Sequence, residues 1–157
     1  MADNSLKIST VCVGDSVVIQ MAGQIDESAV FPEVKSEGVI KINLKDVTLI
    51  NSVGTRAWCL WIQRFRAPAE VILIECPVII VKNFTLVKGF LNERCRIYSF
   101  VVPYYSEQTG EGKEVTLTWG KDFDSKGLLK LPEVVDKNGN PMVPDVITES
   151  YFGFLQS

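Results

Sequence analysis

The stretch VTLINSVGTRAWCLWIQRF, residues 47–65, decides how the rest of the chain is read. An apolar run suited to a buried strand ends at Ile50, and two small polar residues, Asn51 and Ser52, precede Val53 and Gly54. From residue 53 to 66 the spacing predicts a helix, with Ala57, Trp58, Trp61, Ile62 and Phe65 on one apolar face. Arg56, Gln63, Arg64 and Arg66 fall mostly around the other side, and Pro68 stops the helix. Ser52 stands where an N-cap belongs, with a hydroxyl able to accept from a backbone N–H of the first turn.

Working outward, LKISTVCVG (6–14) and SVVIQMAG (16–23) are β-rich runs joined at Gly14-Asp15, a hairpin signal. GVIKINL (38–44), AEVILIEC (69–76) and CRIYSFVVP (95–103) read as three more strands, the last closed by Pro103. DESAVFPEVKS (26–36) suits a short helix interrupted at Pro32. CPVIIVKNFTLVKGFL (76–91) stays open between two readings. VIIV has strand composition, whereas Ile80, Phe84, Val87 and Leu91 fit helical spacing. Strands separated by helical stretches predict an α/β fold: a mixed β-sheet with helices packed on it.

After Pro103 the character changes. YYSEQTGEGKE is polar, EVTLTW (114–119) alternates as a strand, and GKDFDSKG and DKNGNP are turn clusters, the second with an Asn-Gly pair suited to a tight hairpin. From residue 102 on, nine acidic residues face five lysines, so the tail carries about −4 and the remainder about +1. The expected organisation is one unit over residues 1–101 and a small β-rich extension over 102–157.

Composition narrows the chemistry. The 157 residues are 46% hydrophobic and 22% charged, as in a globular domain. No apolar stretch approaches the ~18–20 residues that cross a bilayer, so no membrane association is expected. MADNSLKIST has no apolar core, so no signal peptide is expected, and the expected compartment is the cytoplasm. Cys12, Cys59, Cys76 and Cys95 are scattered and read as small apolar core residues of a reduced protein. There is no histidine, which removes Ser-His-Asp and Cys-His catalysis. NSVG is not a G-x-S-x-G elbow, and neither a Walker loop nor G-x-G-x-x-G is present. The chain is therefore not expected to be an enzyme or to need a cofactor. A net charge of −3 without a basic stripe argues against a nucleic-acid partner.

INLKDVTLINSVGT (42–55) and AGQIDES (22–28), in this order of elements, resemble the STAS domain of the anti-sigma factor antagonist family. The likeness covers roughly residues 5–101. It implies a STAS-like fold and a regulatory protein–protein interaction module acting in signalling and transcription control in bacteria. In that family the signature serine, here Ser52, is phosphorylated by a partner serine kinase that is also the anti-sigma factor. The resemblance makes Ser52 the candidate phosphoacceptor and Asp26, Asn51, Gly54 and Thr55 candidate partner-binding residues, with Gly54 allowing close approach of a partner backbone. Two positions depart from the pattern: the aspartate before the serine is Asn51, and a second serine is Val53. The alternative reading is an unswitched assembly or scaffold protein of the same fold.

PYYSEQTGEG (103–112) and VVDKNGNPM (134–142) each have the shape of a zinc knuckle without its cysteines. Ser106 and Thr109 precede Gly110, and Val135 and Asn138 precede Gly139, at C-x-x-C-G spacing. The tail thus resembles a zinc ribbon that has lost its four ligands. No metal is expected at Ser106, Thr109, Val135 and Asn138.

Overall fold

The computed structural model describes residues 3–36, 38–66 and 68–156. Met1 and Ala2 of the polar start and Ser157 of the aromatic end lie outside them. The described residues form a mixed α/β fold with a mixed sheet and three α-helices. The first sheet runs β1 (Lys7–Val13), β2 (Ser16–Ile25), β3 (Val39–Ile50), β4 (Glu70–Ile74) and β5 (Cys95–Ile97), in that spatial order. The β1/β2 pair is an antiparallel hairpin, and the remaining pairs are parallel. Gly14 takes φ +60° at the first position of the two-residue turn, a conformation glycine adopts without Cβ cost.

The expected strand at 38–44 extends to Ile50. Alternation explains the core: Val17, Ile19, Met21, Ile40, Ile42, Leu44, Val71 and Leu73 are buried, while their neighbours along the strands are less so. Helix α1 (Ser52–Ile62) links β3 to β4, and α2 (Val78–Leu86) links β4 to β5. The open reading of 76–91 is therefore decided as helix, with Ile80, Val81 and Phe84 buried.

Three expectations are corrected. Residues 26–36 contain no helix; they cross from β2 to β3 as irregular chain, laying Phe31 on Trp61 with ring centroids 5.0 Å apart. Helix α1 ends at Ile62, six residues before Pro68, so the proline does not terminate it. The single strand expected over 95–103 breaks at Tyr98, because Cys95–Ile97 pairs with β4 whereas β6 (Ser99–Tyr105) opens a second sheet.

The second sheet is antiparallel, ordered β7 (Gly112–Thr118), β6, β8 (Val143–Pro144). Its start is tied to the first sheet. Ser99 Oγ accepts from Glu75 N–H at 2.8 Å, and Cys76 bridges Phe100. Helix α3 (Thr148–Tyr151) and a following 3-10 turn fold back on α2, with the Phe84 and Phe154 rings 5.0 Å apart. Tyr151 donates its hydroxyl to the Val101 carbonyl. One continuous apolar core therefore runs from Val17 to Phe152 across both sheets. Among the described residues, no helix is long and apolar enough to cross a membrane.

Candidate functional site

The N-terminus of α1 is capped one residue earlier than the sequence suggests. Asn51, not Ser52, is the N-cap: its backbone is extended (φ −104°, ψ −179°) and its Oδ1 accepts from Gly54 N–H at 2.8 Å. Ser52 already belongs to the helix, and its exposed hydroxyl has no hydrogen-bond partner among the described residues. The other end of the Asn51 amide donates to Glu27 Oε2 at 3.0 Å. This contact ties the 26–36 crossing to the helix start.

Gly54 is buried. A Cβ there would stand 1.9 Å from the Ile25 carbonyl oxygen and 2.9 Å from Asp26 N. The close approach that this glycine permits is made by the chain's own β2 end. It seats α1 against the strand, and Asn51 N–H completes the junction by donating to Ile25 O at 3.2 Å. Thr55 is half-buried, and its hydroxyl donates to the Asn51 carbonyl at 2.8 Å. Asp26 lies across this junction. Its Oδ1 accepts from Ser28 Oγ at 2.6 Å and Ser28 N–H at 2.9 Å. These bonds, the side-chain one foremost, hold its carboxyl below the usual value of 3.8.

Asp26, Asn51, Ser52, Gly54 and Thr55 are thus brought together at the C-terminal ends of β2 and β3. Around Ser52 the surface is apolar and neutral to basic on the helix side. Leu49 and Val53 are exposed, Val53 by 55%, and the first turn of α1 carries no acidic residue. Arg56, one turn on, is also exposed. The two tryptophans of α1 are core residues. Trp58 Nε1 donates to Phe90 O at 2.9 Å and Trp61 Nε1 to Pro32 O at 2.8 Å.

Three of the second set of expected positions, Ser106, Thr109 and the backbone of Asn138, also meet, but around a residue the sequence reading missed. Ser106 is 1% exposed and donates through Oγ to Asp136 Oδ2 at 2.6 Å; Thr109 Oγ1 donates to the same oxygen at 3.2 Å. Asp136, 4% exposed, also accepts Asn138 N–H and Asn140 N–H on Oδ1 and Asn140 Nδ2 on Oδ2. Asn138 contributes its backbone, and Val135 leaves half its side chain exposed while its carbonyl accepts from Lys113 Nζ. A carboxylate stands where the two turns converge. The Ser106 hydroxyl leads the bonds that hold Asp136 well below the usual carboxylate range. An aspartate two residues before Asn138-Gly139 is the signal for such an Asx turn, in which its side chain accepts the N–H two residues on.

The cysteines are all free. Cys12 is exposed on β1, which corrects the core reading for that residue. Burial pushes the thiols of Cys59, Cys76 and Cys95 up, Cys95 to about 11, so these three are not activated nucleophiles. Among the described residues, no group of three or more cysteine, aspartate or glutamate side chains could hold a metal ion. No protein-family model matches this chain, and no curated protein matches it.

Proposed function

We propose that this chain is a regulatory protein-binding module of STAS-like fold, docking a partner through the surface around Ser52 and released when Ser52 is phosphorylated. The observation that carries the reading is the position of Ser52: an exposed, unbonded hydroxyl in the first turn of α1, relieved of capping by Asn51. Free N–H groups and the positive end of the helix dipole make that turn tolerant of a phosphate, and Arg56 lies one helical turn away. The same group adds about −1.5 to −2 charges beside Glu27 and Asp26, in the midst of exposed Leu49 and Val53. A surface that receives a partner through apolar contact is thereby turned strongly negative. The resemblance of residues 42–55 to the anti-sigma factor antagonist signature points to a serine kinase as that partner.

A second reading, an unswitched scaffold of the same fold, draws on Asn51. Both ends of its amide are engaged, so the residue next to the hydroxyl is a capping amide and not a carboxylate that could accept the serine proton. Phosphosite mapping by mass spectrometry, on protein recovered from its own cells in growth and under stress, separates the two. The switched module carries phosphate on Ser52 in one of the conditions. Ser52 unmodified in every condition leaves the scaffold.

A further inference from the structure

The other candidate surface is the β1 edge. β1 is one boundary of the first sheet, with no strand beyond it among the described residues. Long sheet edges are normally blunted by proline, a bulge or several charges. β1 has none of these: its register with β2 is unbroken from Lys7 to Val13, and Lys7 is its one charge. Its exposed side chains include two large apolar ones, Val11 at 58% and Val13 at 63%, beside Lys7, Ser9, Thr10 and Cys12. The opposite edge, β5, is three residues long and carries the Arg96–Glu70 ion pair.

Hairpin geometry says which backbone groups are free. Val13 and Ser16 close the two-residue turn and form the hydrogen-bonded pair there. By alternation Val11 and Ser9 also bond to β2, and Ile8, Thr10 and Cys12 turn their N–H and C=O groups outward. Two copies of the strand can pair antiparallel about a two-fold axis at Val11. Thr10 then faces Cys12 of the second copy as a hydrogen-bonded pair, and Val11 faces Val11. This register sets Lys7 opposite Asp15, which is exposed in the turn, and it does so twice. A register centred on Thr10 leaves Lys7 facing Val13 with no charge partner.

We propose that the chain forms a two-fold homodimer by antiparallel pairing of β1 edges centred on Val11, joining two five-stranded sheets into one of ten. The turn at Gly14 lies at the opposite end of β2 from Ile25, so both copies keep Ser52 uncovered.

Sedimentation equilibrium of the full chain over a wide concentration range tests this. The wild type is expected to dimerise. Thr10→Pro removes an outward N–H and leaves the β2 ladder intact, so it is expected to weaken association at least tenfold with an unchanged circular dichroism spectrum. Asp15→Lys is expected to weaken it as well, and the exchange Lys7→Asp with Asp15→Lys to restore it. Should Thr10→Pro fail to fold, that exchange decides alone. Val11→Cys in a Cys12→Ser background is expected to oxidise to a covalent dimer, and Thr10→Cys in that background is not. A wild type that stays monomeric, association indifferent to Asp15→Lys alone or not restored by adding Lys7→Asp, or cross-linking through position 10 and not 11 overturns the proposal.

Discussion

At the scale of single residues, the local stability of the two candidate sites rests on Asn51 and Asp136 rather than on Ser52. Asn51 caps α1 and reaches Glu27, so Asn51→Ala is expected to cost about 1 kcal/mol in urea unfolding. Ser52→Ala is expected to leave stability within about 0.5 kcal/mol, because its hydroxyl bonds nothing. A reversed order would return the cap to Ser52. Asp136 is held below its ordinary value of 3.8 by hydroxyl and amide donors that favour the charged form. Its folded-state value is depressed, so its contribution is fully present above the unfolded-state value and lost as pH falls below about 4 toward the folded value. Asp136→Asn is therefore expected to lower stability at neutral pH and to flatten the stability–pH curve below pH 4. An unchanged curve would remove the carboxylate from the centre of the two turns. Asp136 escaped the sequence reading because knuckle spacing directs attention to Val135 and Asn138, whereas the turn itself points the intervening residue inward.

At the scale of elements, the seating of α1 on β2 depends on a missing side chain. Gly54→Ala would drive a methyl to 1.9 Å from Ile25 O, backbone that cannot swing aside. The helix start must lift, at a cost of about 3 kcal/mol. Thermal unfolding of this variant should show a clear loss of stability, and a wild-type melting curve would mean that the junction is looser than described. The strand–helix junction was legible in the sequence because an apolar run ends at Ile50 and helical spacing begins after Asn51 and Ser52. The α2 segment was not, since VIIV is apolar on every side and hides its period. The break at Tyr98 was hidden for a related reason: an apolar run states that a strand is buried, not which sheet it joins. The 26–36 crossing stays irregular because its anchors, Phe31 and the Pro32 carbonyl, are consumed by the tryptophans of α1.

At the scale of the whole molecule, the two sheets share a core, and the C-terminal aromatics close it. Phe152 and Phe154 meet Phe100, with centroids 6.1 Å and 5.2 Å away, and Phe154 also meets Phe84 of α2. Calorimetry is expected to show one unfolding transition, unmoved by chelators; two separate transitions would mean that the sheets melt independently. The account's central claim is that a partner docks around Ser52. Its most direct measurement takes the protein that the wild-type chain captures from lysate of its own cells and titrates it, by calorimetry, against wild type, Ser52→Ala and Ser52→Asp. The account predicts equal binding by wild type and Ser52→Ala, and affinity lowered more than tenfold, about 1.4 kcal/mol, by Ser52→Asp. Equal binding by all three would contradict it.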